Sequence, residues 1–253
     1  MEEEKLNYGF VSSPVKIGNT VHRQTGTWTY AIHALLNFLQ ANNFAYSQKV
    51  LGFDEQGREI LEFLPGEAAT RPWPPQLLED GGLVQAATML KRYHALVKEF
   101  RPPENAEWRI GKVPLKHGQI IRHGDLGPWN MLWQDDELTG LIDWDFAEPG
   151  KAITDLAQMA YYCVPLRGEE GWQEAGFIER PDLLHRFNVV CETYGQFMAN
   201  EVLDELQNWL YEELRRVREL GGEKKLEPWA SFFQRGDDAE ILKDLAWLKE
   251  AQI

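Results

Sequence analysis

Two short runs of this 253-residue chain carry side chains whose types and spacing suit chemistry. They are His123-Gly124-Asp125-Leu126-Gly127-Pro128-Trp129-Asn130 and Leu141-Ile142-Asp143-Trp144-Asp145. Apolar, strand-like residues lead into both, Ile120-Ile121 before the first and Leu141-Ile142 before the second, so the carboxylates project where strands end and a cleft opens. Gly124 and the Gly127-Pro128 turn let the backbone curl and bring Asp125 and Asn130, five positions apart, to one site. Asp143 returns eighteen residues after Asp125 on an adjoining hairpin. A carboxylate to orient a hydroxyl proton, with an amide oxygen and a second carboxylate as hard ligands for magnesium, is the set that phosphoryl transfer asks of a protein. Alone, either run reads as a turn or a strand end with solvated acids; together and in this order they point to phosphoryl transfer.

The elements that must position these residues are legible from periodicity. Residues 15 to 23 read as a hairpin about Gly18-Asn19, with Ile17 opposite Thr20 and Lys16 opposite Val21, so that Lys16, Val21 and Arg23 share one face. Trp28, Ile32, Leu35, Leu36 and Leu39 recur at helical spacing, and Asn42-Asn43 close that helix. Residues 48 to 52 and 58 to 64 read as two strands around a polar Asp54-Glu55-Gln56-Gly57 turn. Pro65-Gly66 ends this small sheet, and the lobe boundary is placed near residue 66, giving an N-terminal lobe of residues 1–66 and a C-terminal lobe of residues 67–253. A helix is expected over 77 to 99, short apolar runs alternate with turns over 119 to 146, and helices follow from Asp155 almost to the end. The expected class is α+β, bilobal, with a small, truncated β-rich lobe and a mainly helical one.

Bulk properties narrow the partners. Hydrophobic residues make up 43% and charged residues 26%, enough buriable surface to exclude disorder. A formal charge of -14 repels nucleic-acid phosphates and anionic lipid, so neither nucleic acid nor membrane is an expected partner. Cys163 and Cys191, both in apolar stretches, read as buried reduced thiols. The acidic Met1-Glu2-Glu3-Glu4-Lys5 start is unlike a signal peptide and no apolar run reaches the length of a membrane span, so the cytoplasm is the expected location.

The two central motifs resemble those of the aminoglycoside phosphotransferase and choline kinase superfamily, distant relatives of protein kinases. The catalytic loop there reads His-Gly-Asp with an Asn five residues after the Asp, and the metal loop reads Ile-Asp-Trp or Ile-Asp-Phe. The resemblance implies a protein-kinase-like fold, ATP or GTP as phosphoryl donor, Asp125 as catalytic base, and Asn130 and Asp143 as magnesium ligands. It implies supporting roles for His123 and Asp145. Asp155, in Thr-Asp-Leu-Ala, matches an aspartate that starts a helix, and an N-terminal cap is its expected role. More weakly, the backbone at Glu62, Phe63 and Leu64 matches the hinge that binds the adenine edge. His33 and His94 read as satisfied helix residues rather than ligands. Trp129 and Trp144 read as wall-filling, inside motifs that border the acceptor.

The nucleotide-gripping half departs from this pattern. No acidic residue lies between Lys5 and Asp54, so the first helix has no glutamate to fix a strand cation. Val21-His22-Arg23 stands where Val-x-Lys is expected, which makes Arg23 the candidate phosphate contact with Lys16 beside it. Gly9 and Gly18 form no Gly-x-Gly-x-x-Gly loop. Two functions follow: a small-molecule kinase acting on a hydroxyl of an aminoglycoside-, choline- or metabolite-like acceptor, or a catalytically weak or inactive pseudokinase that binds a nucleotide or metabolite. Residues 167 to 227 hold 14 acids and 8 bases, a mild bias toward a cationic acceptor that a solvated helix surface explains as well.

Overall fold

The structure, a computed structural model, describes residues 3–6, 14–69 and 71–251; Gly9 lies outside the described residues. The first half of the chain builds an antiparallel sheet from β1 (Glu4–Lys5), β2 (Val15–Ile17), β3 (Thr20–Arg23), β4 (Val50–Phe53) and β5 (Glu59–Glu62), in the order β1-β2-β3-β5-β4. The β2–β3 hairpin has the expected register, Lys16 opposite Val21 and Ile17 opposite Thr20, because Gly18 at φ 60° supplies the left-handed turn. β3 lies centrally and pairs with β5, placing Arg23 opposite Glu59. Between β3 and β4, α1 (Thr29–Ala41) buries Ala31, Ile32, Leu35, Leu36 and Leu39, the i, i+3, i+4 stripe that an amphipathic helix turns to a core. It stops where Asn42 donates back to the Phe38 carbonyl and Asn43 turns left-handed at φ 56°.

The chain leaves this sheet after Glu62, and β6 (Glu67–Ala68) already belongs to a second one, β6-β8-β9, with β8 (Met131–Gln134) and β9 (Glu137–Leu141). A separate antiparallel pair joins β7 (Ile120–Arg122) to β10 (Glu148–Gly150). Helices fill the rest: α2 (Pro75–Leu78), α3 (Asp80–Val97), α4 (Ala152–Cys163), α5 (Gly168–Ala175), α6 (Leu183–Tyr194), α7 (Ala199–Arg216), α8 (Trp229–Arg235) and α9 (Asp237–Glu250). This is the mixed architecture expected: a small antiparallel sheet with one helix, then a helical part. One contiguous core runs from α1 through α3, α4, α6 and α7, with α3 packed on α6 and α4 on α7. Cys163 and Cys191 are buried and free within it. No helix is long and apolar enough to cross a membrane, among the described residues.

α5 runs through Gly171, and α7 passes into widened turns over Val217–Glu223. A side chain at Gly221 would meet the Trp229 carbonyl at 2.0 Å, so the backbone of α8 packs directly on that glycine.

A buried ion triad fastens α7 to the strands that carry the site. Glu148 on β10 accepts from Arg122 on β7 and from Arg216 on α7, the latter at 2.9 Å. Glu148 and Arg122 are almost wholly buried, so removing the carboxylate leaves guanidinium charge without a partner in low dielectric. Glu148→Ala is expected to destabilise the protein by about 3–5 kcal/mol, measured as a fall in the urea midpoint.

Candidate active site

The His123–Asn130 loop follows β7, and its shape is set by side chains from α4. Asp155 accepts from the His123 amide at 2.7 Å and the Gly124 amide at 3.1 Å. Gln158, three residues on along the same helix face, accepts from the Leu126 amide at 2.9 Å and donates to the Gly124 carbonyl at 3.0 Å. Asp155 is therefore not the helix cap expected from sequence: the cap position is Lys151, and the Asp155 carboxylate instead satisfies backbone donors of the loop. His94 on α3 backs it at 3.1 Å and in turn meets the Tyr194 hydroxyl at 2.8 Å. Burial alone would raise the Asp155 carboxyl, but His94, Arg122 and His123 more than reverse this and hold it below the usual carboxylate range. Gly124 sits at φ 80°, and a side chain there would strike the Phe146 carbonyl at 2.2 Å; only glycine brings the loop this close to the segment after Asp145.

His123 packs on Trp144, their rings 4.5 Å apart. Its Nε2 lies 3.1 Å from the Ile142 carbonyl, and its Nδ1 accepts from the Asp125 amide at 3.2 Å. A ring that donates on one side and accepts on the other is neutral, which fits the burial that pushes its pKa down to about 4. His123 thus joins the two loops.

Asp125, Asn130 and Asp143 are brought together by the β8–β9 hairpin, which Asn130 precedes and Asp143 follows. The Ile142 amide donates to the Asn130 carbonyl at 2.9 Å and ties the two ends. Asn130 Nδ2 donates to both the carbonyl and Oδ2 of Asp125, each at 2.8 Å, leaving its own Oδ1 free as a hard ligand. The Trp129 indole lies 3.4 Å from the same Oδ2, so Oδ1 of Asp125 has no hydrogen bond among the described residues. Burial and the nearby Asp143 push the Asp125 carboxyl up to about 7, against the hydrogen bonds from Asn130 and Trp129. Asp143 adopts the left-handed conformation, φ 59° and ψ 67°, uncommon for a residue other than glycine and tolerated by aspartate. No three His, Cys, Asp or Glu side chains gather as a metal site among the described residues. Asn130 Oδ1 and an Asp143 oxygen nonetheless fit magnesium, which takes one or two protein oxygens and completes its shell with phosphate and water.

Arg23 is buried, and each of its three nitrogens donates to a carboxylate: Nε to Glu59 at 2.6 Å, Nη1 to Asp143 at 3.2 Å and Nη2 to Asp145 at 2.6 Å. Burial would lower its pKa, yet Asp145, Glu59 and Asp143 together raise it. The glutamate absent from α1 is replaced by Glu59 on the paired strand, and α1 reaches the cluster through His33, 2.7 Å from the other Glu59 oxygen. Arg23 thus ties together three carboxylates, one from the sheet and two from the loop after β9. Lys16 stays half-buried with its ammonium over the Phe63 ring at 4.1 Å. Of the expected hinge, the Glu62 amide donates to the Lys49 carbonyl, the Glu62 carbonyl accepts from Gln48, and the Phe63 amide donates to the Asn19 carbonyl, each at 2.9 Å. Leu64 alone of the three keeps both backbone groups unpaired among the described residues.

Sequence reasoning missed Glu59, Gln158 and Arg109. Arg109 lies between the Trp28 and Phe146 rings, at 4.1 and 5.0 Å from their centroids, with Nη2 3.6 Å from Asp145. Gln158 was findable, being one helix turn beyond Asp155; Glu59 and Arg109 lack any local motif.

The fold and this site define a kinase-like phosphotransferase. A sequence profile described as the phosphotransferase enzyme family matches residues 105–183, which span the catalytic and metal loops. The chain is 34% identical over 199 residues to the trifolitoxin immunity protein of Rhizobium leguminosarum bv. trifolii, covering 77% of this chain and 74% of that protein. It belongs to the phosphotransferase enzyme family. Among solved structures, the amicoumacin kinase hAmiN in complex with AMP-PNP, Ca2+ and Ami superposes with a TM-score of 0.64 at 11% identity, over 96% of this chain and 87% of that one. The GDP and kanamycin complex of an aminoglycoside 2''-phosphotransferase superposes with a TM-score of 0.58 at 12% identity, over 99% and 92%.

The neutral His123 makes stability depend on pH. Its pKa falls from 6.5 to about 4 on folding. Between these values the unfolded chain binds a proton that the folded protein refuses, so stability is lost as pH falls through that window, in total on the order of 3 kcal/mol. Urea midpoints measured from pH 7 to pH 4 should fall more steeply for the unaltered protein than for His123→Asn; parallel curves would show that another group carries the loss.

Proposed function

We propose that the protein transfers the terminal phosphoryl group of ATP or GTP to a hydroxyl of a small-molecule acceptor. The observation that carries this reading is the half-buried Asp125 carboxylate, with one oxygen fixed by Asn130 at 2.8 Å and the other without a hydrogen bond among the described residues. Asp125 Oδ1 takes the proton of the acceptor hydroxyl as its oxygen attacks the terminal phosphorus, and the nucleoside diphosphate leaves. A pKa near 7 suits a group that must accept and then release a proton at neutral pH. Asn130 and Asp143 hold magnesium, which offsets the charge of the phosphates. Asp145 and Asp155 hold the metal loop and the catalytic loop in place. Leu64 offers the free hinge groups, with Lys16 beside Phe63 at the rim.

Beyond Asp125 the walls are aromatic and acidic. Trp129 meets Tyr162 edge-on at 4.6 Å, and Glu213 on α7 lies within electrostatic reach of Asp125, its own carboxyl raised by burial. Such walls suit a cationic acceptor. We infer an antimicrobial compound as acceptor and its inactivation in the cytoplasm as outcome, supported by the relative named for immunity to trifolitoxin and by neighbours bound to kanamycin or Ami. A second reading, a nucleotide-binding pseudokinase, is favoured by one observation, the commitment of Arg23 to three carboxylates.

Transfer from ATP and GTP to a panel of cationic antimicrobials separates the two. Asp125→Asn is expected to lower transfer by about 10²- to 10⁴-fold while magnesium nucleotide still raises the melting temperature. Transfer undiminished by that substitution would overturn the mechanism, and thermal stabilisation by nucleotide without transfer to any acceptor would favour the pseudokinase.

A further inference from the structure

Arg109 sits at the tip of a two-residue turn in the segment that joins α3 to β7. The Trp108 amide donates to the Gly111 carbonyl at 3.0 Å and the Gly111 amide returns the bond at 2.8 Å, so the turn is closed on itself. Trp108 is buried, and its indole donates to the Val113 carbonyl at 3.2 Å, which anchors the base of the turn. The turn brings its guanidinium between the Trp28 and Phe146 rings and beside Asp145. The Arg109 side chain is 7% exposed. Its Nε and Nη1 are buried without a hydrogen-bond partner, and Nη2 is 3.6 Å from Asp145, beyond hydrogen-bond length. Asp145 already accepts from Arg23 at 2.6 Å.

A buried cation with two orphaned donors is costly unless an anion completes it. The anion at hand in a phosphoryl-transfer cleft is phosphate. Asp143, Asp145 and Asp125 all lie within electrostatic reach of Arg109, which places it around the same point on which the metal and base converge. Magnesium held by Asn130 and Asp143 would offset carboxylate charge that otherwise competes with phosphate for Arg109.

We propose that Arg109 is a phosphate-contacting residue that donates from Nε and Nη1 to phosphate oxygens of the nucleotide, while all three nitrogens of Arg23 are held by carboxylates. The assignment rests on the kinase reading above. It places the cation on the helical part of the protein, on a rigid turn, rather than on the strand where sequence analysis sought it. A planar guanidinium presents Nε and Nη1 on separate edges, where each can meet a different phosphate oxygen, and it requires no acidic partner to stay charged.

The competing role is a packing wedge that Trp28 and Phe146 clasp through their ring faces. Binding separates the two. Affinities of the full-length protein would be measured by calorimetry, with magnesium, for the β,γ-imido analogues of ATP and GTP and for adenosine and guanosine. Arg109→Met is expected to weaken the better triphosphate analogue by at least about tenfold and to leave the matching nucleoside within about twofold. Its melting temperature should be no lower, because methionine fills the aromatic clasp without burying charge. Should Arg109→Met not fold, Arg109→Gln carries the same expectation for the two affinities. Unchanged triphosphate affinity, or equal loss for triphosphate and nucleoside, would overturn the assignment alone. Failure of the unaltered protein to bind either triphosphate would remove the kinase reading and the assignment with it.

Discussion

The buried guanidinium of Arg23 is the interaction on which the site depends. Its three bonding directions reach Glu59 on the neighbouring strand, and Asp143 and Asp145 beyond the end of β9, so one side chain joins the first sheet to the metal loop. Its geometry is specific to arginine: a planar fork addresses three carboxylates at once, whereas a lysine ammonium is a point charge with a different arrangement of donors. Taking these charges out of water costs several kcal/mol per ion, and the arrangement persists only because every member is paired. Loss of Arg23 would leave three carboxylates repelling one another; loss of Glu59 would free His33 and with it the hold of α1 on the sheet.

A parallel lock holds the catalytic loop, made of different chemistry. There the donors are backbone amides, and Asp155 and Gln158 accept or donate along one face of α4. The two locks meet at His123, which touches the Asp125 amide on one side and the Ile142 carbonyl on the other. A protonated ring has no acceptor for that amide, so the neutrality of His123 is a structural requirement. Rigid placement of base and metal ligands by surrounding residues is what makes orientation contribute to catalysis rather than cost entropy during it.

Legibility in the sequence follows the range of the interactions. The β2–β3 hairpin, α1, the small sheet and the motif loops rest on local rules, a Gly-Asn turn, a 3.6-residue stripe and strand-to-loop transitions, and each stands where those rules put it. Asp125, Asn130 and Asp143 converge because a single hairpin separates two of them. What escaped depends on pairings across long stretches of chain. Arg23 finds Glu59 through strand pairing 36 residues away and Asp143 through 120, and neither partner leaves a mark near Arg23. The same cause explains Asp155: aspartate near a helix start reads locally as a cap, while its carboxylate serves amides some 32 residues earlier. Hinge carbonyls and amides at Glu62 and Phe63 are consumed by Gln48, Lys49 and Asn19, contacts that side-chain identity does not announce.

These pairings bear on how a cut-down first lobe can serve a phosphoryl-transfer site at all. In kinase-like sites one strand cation both meets a helix acid and grips phosphate. Here the acid has moved to the strand beside the cation, and Asp143 and Asp145 accept from its two terminal nitrogens. The cation is therefore fixed before any nucleotide arrives, and the sheet no longer depends on a phosphate to align α1. Pre-alignment of this kind lowers the ordering cost of assembling the site, and it leaves phosphate recognition to the metal and to cations from outside the sheet. Arg109, on its closed turn with Nη2 3.6 Å from Asp145, is the cation we propose for that place, and it is carried by the part of the chain that also carries Asp125.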